Sequence, residues 1–242
     1  MAEFDTIRST TRSDAHVSID SGLRAHMNKV YGLMAVAMII TGSVAWSIGT
    51  SPQLVYALFS NQILSLVIMF APLGFVFFLS ARVMKMSYAG GQLSFWLFSA
   101  LMGLSLSTIF VVYTGASIAN AFFTTAIAFG AMSLFGYTTK KDLSGMGRFL
   151  FMGVIGLIVA MIINWFTQSP GLEFAINVLG VLIFAGLTAY DTQNIKNTYL
   201  GLRSSPNGEE IAAKAGILGA LSLYINFLNM FMFLLQFMGN RE

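Results

Sequence analysis

One aspartate stands apart chemically because it lies inside a long apolar run. Asp191 belongs to Gly186-Leu-Thr-Ala-Tyr-Asp-Thr-Gln-Asn-Ile-Lys196, and helical rise places it roughly 7 Å from Lys196. The other nine acidic residues sit elsewhere: Glu3, Asp5, Asp14 and Asp20 near the N-terminus, Asp142, Glu209 and Glu210 between apolar runs, Glu173 at a turn, and Glu242 at the end. A carboxylate at the bilayer centre costs about 2.5–3.5 kcal/mol, less near an interface. Asp191 should therefore face other helices or a water-filled cavity, where it could exchange a proton or touch a cation. The plainer alternative is that it marks the wet end of its helix, together with Gln193 and Asn194. On these residues alone the two readings weigh equally.

Other site chemistries find no residues. The chain has no cysteine, which removes thiolate nucleophiles, disulfides and Cys-based metal sites. Its two histidines, His16 and His26, lie in the N-terminal segment, so no Ser–His pair or His-bound metal is expected at membrane depth. A paired-aspartate protease would need a second aspartate on the last apolar run, which has none. Phosphate loops and nucleic-acid patches are absent. Asn164, Asn226, Asn229 and Gln236 are expected to serve as hydrogen-bonding partners between helices. No catalysis, no cofactor and no firm metal site follow; a lone carboxylate offers calcium, which prefers six to eight oxygens, a transient contact at most.

The elements that position Asp191 follow from composition. Of 242 residues, 56% are hydrophobic and 10% charged, too few charges to cover a soluble surface. Charge-free runs cover Val30–Ala81, Met86–Thr139 and Ala215–Asn240, and Phe149–Tyr190 is interrupted only by Glu173. A helix needs about 20 apolar residues to cross a bilayer, so the first two runs and Phe149–Tyr190 each fold into a hairpin and the last crosses once. The expected spans are 30–49, 57–81, 91–113, 116–137, 149–168, 173–195 and 212–237. The class is all-α: seven transmembrane helices after a disordered cytoplasmic tail over 1–28, with residues 29–242 as the membrane domain. Helices satisfy their backbone internally, whereas open strands in lipid do not.

Positive charge sets the orientation. Twelve of the 13 Lys and Arg fall in the N-terminal segment and in the segments after the second, fourth and sixth spans; only Arg241 falls on the other side. Basic segments stay in the cytoplasm, so the N-terminus is expected inside and the C-terminus outside. The N-terminus shows no cleavable signal pattern. Small residues four apart, Ala212/Gly216/Ala220 in the last span and Gly115/Ala119 and Ala126/Gly130 in the fourth, would permit close helix contact.

Three segments carry a family resemblance: Tyr137-Thr-Thr-Lys-Lys-Asp-Leu-Ser-Gly145, Gly186-Leu-Thr-Ala-Tyr-Asp-Thr-Gln193, and Gly219-Ala-Leu-Ser-Leu-Tyr-Ile-Asn-Phe-Leu-Asn-Met-Phe231. On them the chain resembles the transmembrane Bax inhibitor motif family (Bax inhibitor-1 and YccA-like proteins) in its bacterial inner-membrane branch. The resemblance implies six helices around a central seventh and a pH-sensitive calcium leak, gated where an aspartate of span six meets one of span seven. Asp191 matches the first; Asn226 stands where the family pattern has the second, and Gln236 where close relatives carry arginine. Two adjacent carboxylates share a proton and titrate as a pair. An aspartate–asparagine pair loses that coupling, which implies a weaker, more acidic pH switch than the family pattern gives, or none.

Asp191 and Asn226 are thus the expected gate and pH sensor, with the lipid bilayer and calcium as partners and no nucleic acid. The alternative is a regulatory protein that binds and modulates a membrane quality-control protease through its N-terminal segment and basic loops. The inner cell membrane is the expected location.

Overall fold

The computed structural model describes residues 2–203 and 205–240, with side chains described from residue 21 onward. Among the described residues all regular structure is helical: α1 (Ala2–Gly49), α2 (Pro52–Phe59), α3 (Gln62–Arg82), a 3₁₀ turn (Val83–Lys85), α4 (Tyr88–Leu106), α5 (Ile109–Val112), α6 (Gly115–Thr138), α7 (Ser144–Thr167), α8 (Pro170–Leu202) and α9 (Gly208–Met238). Seven stretches are long and apolar enough to cross a membrane: Ser21–Gly49, Gln62–Lys85, Tyr88–Val112, Gly115–Thr138, Ser144–Thr167, Pro170–Leu202 and Gly208–Met238. These are the seven expected spans.

Polar caps mark where helices start. Asn61 accepts hydrogen bonds from the Ile63 and Leu64 amides, Ser87 from Gly90, Thr114 from Ser117 and Ser169 from Leu172. Each satisfies donors that a helix leaves open at its N-terminus. Pro52 and Pro170 open α2 and α8, where a missing N–H costs nothing. The Asn61 cap also corrects the expected continuous span 57–81, because the chain breaks at Ser60–Asn61 and the crossing helix begins at Gln62. The first span starts ahead of the expected boundary at 29. Leu23, Met27, Val30, Met34 and Ala37 recur on one face and are buried, so 21–28 is part of the bundle. Of the tail expected over 1–28, residues 1–20 lie outside the described side chains.

α9 is the axis. In its most apolar stretch 72% of the residues are buried, against 39% in α8 and 11% in α7. It packs against α1, α4, α6 and α8, while α3 leans on α4 and α7 on α8. Its small residues allow this: Ala212, Gly216 and Ala220 are buried, and a Cβ on Gly216 would press on His26 and Val30 of α1. The α6 pairs do not act so. Gly115 and Gly130 face open space, and the close approach of α6 is at Gly136, where a Cβ would strike the Ala189 backbone.

Contacts collect the basic residues at one end of the bundle. Gly22 abuts Tyr199, Lys29 lies 4.3 Å from the Tyr88 ring centroid, and Lys196 donates to the Tyr137 carbonyl at 2.8 Å. The opposite end closes with Thr114 N–H donating to Asn240 O at 3.3 Å and Asn240 N–H to Ser117 Oγ at 2.9 Å.

Candidate functional site

The span-six motif touches a different neighbour with almost every residue. Gly186 lies against Leu150, and Gly147 of α7 lies under the Tyr190 ring. Ala189 meets Gly136 of α6, and Thr192 Oγ1 stands 3.5 Å from the Tyr31 hydroxyl of α1. Gln193 is buried and reaches the loop between α6 and α7: its Oε1 accepts from Leu143 N–H at 2.8 Å and its Nε2 donates to Lys141 O at 2.7 Å. Gln193 is therefore a staple for that loop, not a solvated helix end. Two of the segments that carry the family resemblance, 137–145 and 186–193, are thus joined by direct hydrogen bonds.

Lys196 completes the staple. α6 ends at Thr138 with free carbonyls, and the ammonium supplies the donor and the positive charge that a helix C-terminus favours. Held this way, Lys196 is not the mouth of its helix. α8 continues six residues to Leu202, so Asp191 lies roughly 17 Å from its end by helical rise, deeper than Lys196 alone implied.

Within this frame Asp191 meets Asn226. The amide Nδ2 donates to the carboxylate Oδ2 at 2.7 Å. Asn226 is 4% exposed and Asp191 half-buried. The structure brings together the two residues singled out as gate, by packing α8 against the axial helix. A carboxylate has about four acceptor positions, and beside this one there is space on two sides. A cavity of about 190 Å³ lies toward the basic end, lined by Asp191 with His26, Asn194, Tyr199 and Ser222. A second, of about 370 Å³, lies between α7, α8 and α9 and is lined by Asp191 and Asn226 with Ser222, Asn229, Phe184 and Phe233. Asp191 and Ser222 form the wall that both share. A third, of about 290 Å³, lies between α3, α4 and α9 and shares Ile225 and Asn229 with the second. The three form a series along one side of α9, with polar residues at each junction.

The remaining candidates behave differently. Asn229 donates at 2.8 Å to Ile225 O of its own helix, and Asn164 Oδ1 accepts from Ser169 N–H at 3.0 Å to close the α7–α8 turn. Gln236 is exposed. None of the three forms the expected bridge between helices, because each finds a backbone partner nearby or faces outward. Missed from sequence was a sealed contact two residues before Asn226. The Tyr224 hydroxyl lies 2.6 Å from Thr41 Oγ1, which stands 2.9 Å from Ala37 O and 2.8 Å from Ser99 O. Outside the spans, Asp142 accepts from Ser144 N–H at 2.9 Å. The Ser144 hydroxyl, that amide and the nearby Arg148 hold its carboxyl below the ordinary range. Among the described residues no group of three His, Asp or Glu could hold a metal ion.

The family model described as inhibitor of apoptosis-promoting Bax1 matches residues 23–242. The chain is 46% identical over 231 residues to the inner membrane protein YbhL of Escherichia coli, covering 96% of this chain and 98% of that one. A protein of Caulobacter vibrioides is 47% identical over 246 residues, covering 97% and 96%. One of Rickettsia prowazekii is 40% identical over 239 residues, covering 99% of each. With seven membrane-crossing helices and a match over nearly its whole length, the chain belongs to the Bax inhibitor family of membrane proteins.

Proposed function

We propose that this protein is an ion conduit of the inner membrane, a pH-sensitive calcium leak with its gate at Asp191 and Asn226. The observation that carries the reading is the carboxylate's place as the wall between two cavities, held by a single side-chain donor and flanked by open space. A cation entering from the basic end would meet this carboxylate before the apolar second cavity. In a low-dielectric surrounding one unit of negative charge outweighs many neutral contacts. Too few oxygens converge there to store calcium, which takes six to eight. Weak, incomplete coordination suits passage.

Protonating Asp191 would remove the charge and weaken the bond from Asn226, so the site has two states. A lone carboxylate titrates as one group; a second within hydrogen-bond distance would couple to it and raise one of the two titration steps. The inner-membrane location is supported by the name of the Escherichia coli relative. A cytoplasmic N-terminus is supported by the gathering of basic residues at one end.

The test is calcium flux into vesicles holding purified protein, followed from acid to mildly alkaline pH, for the wild type and for Asn226→Asp. Wild-type flux with a pH midpoint on the acid side, moved upward in the variant, is the expected result. No flux at any pH from correctly folded protein removes the proposal; flux with identical pH profiles removes the gate.

A further inference from the structure

Away from Asp191, α1 and α6 diverge near the basic end and leave a groove of about 720 Å³. Its deep part is apolar, with Phe129 and the bare backbone of Gly130, where an added Cβ would meet nothing within 4 Å. Its mouth is polar: Arg24 on α1 and Tyr137 on α6. Arg24 is exposed and forms no ion pair among the described residues. Lys196, drawn over the Tyr137 ring with its nitrogen 5.4 Å from the centroid, adds positive charge beside the mouth. Ser133 lines the groove between the two zones. It is 6% exposed, and its hydroxyl has no hydrogen-bond partner.

We infer that this groove binds one anionic phospholipid from the leaflet at the basic end of the bundle. One acyl chain would lie over Gly130 and Phe129, and the phosphate would sit at Arg24. The spacing fits: Tyr137 to Gly130 spans about 10 Å of helical rise, the distance from a headgroup into the upper acyl chain. The flank is in lipid already, so the occupant needs no entry path. Charge selects the headgroup, because basic side chains at a membrane surface favour anionic lipid. Basic pockets between transmembrane helices hold such headgroups by the same attraction. This inference does not depend on the conduit reading, since the groove lies on the other side of α1 from the cavities at Asp191.

The test is native mass spectrometry of full-length protein in mild detergent, with phosphatidylglycerol or phosphatidylcholine of the same chains added. The wild type is expected to retain one phosphatidylglycerol in preference to phosphatidylcholine. Gly130→Phe fills the groove where nothing stands in the way and should lose the lipid while melting like the wild type. Arg24→Gln, at an exposed position, should cut the preference for phosphatidylglycerol about fivefold and leave phosphatidylcholine binding unchanged. Equal retention of the two lipids by the wild type overturns the inference, as does unchanged retention in Gly130→Phe. A dimer that Gly130→Phe disperses would assign the groove to a second copy of the chain and overturn it as well. Should Gly130→Phe fail to fold, the Arg24→Gln result decides: an unaltered preference rejects the headgroup site.

Discussion

Two polar contacts lie two residues apart on the axial helix and differ in almost every respect. Tyr224 is fully buried, and its hydroxyl meets Thr41, which reaches carbonyls of α1 and α4. No described cavity includes either side chain, and the rings of Phe95 and Phe98 close the flank edge-on. Asn226 meets a carboxylate that has acceptor capacity to spare and a cavity on each side. The first contact is saturated and sealed, as a structural tie must be where unpaired polar groups are costly. The second is unsaturated and open, so a change in charge there has somewhere to act. A polar pair inside a membrane protein is therefore read by what surrounds it as much as by its partners.

The largest expected effect breaks the sealed contact. Tyr224→Ala should destabilise the bundle by about 3–5 kcal/mol, the usual cost of emptying a buried aromatic site. Thermal unfolding in detergent measures it; a loss under about 1 kcal/mol would mean the surrounding helices collapse onto the space. The open contact should respond the other way. Asp191→Asn keeps an acceptor for Asn226 and should shift stability by no more than about 1 kcal/mol, so that any change in flux is a change of function and not of folding. Tyr224→Phe sharpens the contrast by removing one hydroxyl, with an expected cost of about 1 kcal/mol and unaltered flux.

The smallest effect lies outside the spans. The hydrogen bonds from Ser144 lower the Asp142 titration, so its contribution is present above the unfolded carboxylate value. It is lost as pH falls through the lowered one. Asp142→Asn should remove that slight acid dependence from the melting temperature, and a retained dependence assigns it elsewhere. The group is exposed, which keeps the effect small.

How much of this was legible in the sequence depended on cost. Charges are so expensive in lipid that charge-free runs gave all seven spans and singled out Asp191 by its exception. Ends of elements were less legible. Lys196 reads as a helix mouth until the Tyr137 carbonyl is known to hold it, and Asn61 reads as part of a span until its side chain caps α3. Uncharged side chains were least legible, because amides and hydroxyls cost little enough to appear anywhere. Gln193 turned out to hold a loop, Asn164 a turn, and Asn229 its own helix, while Thr41 and Tyr224 carried the tie that no spacing announced. Asn226 was singled out by family resemblance, and only packing brought it within 2.7 Å of Asp191.

The most direct measurement compares calcium flux through vesicles containing wild type, Asp191→Asn or Tyr224→Phe at equal protein content and one neutral pH. Flux lowered about tenfold or more in Asp191→Asn, as expected from losing a close charge, and unchanged in Tyr224→Phe is the predicted result. Equal flux in all three would show that the carboxylate between the two cavities does not govern passage.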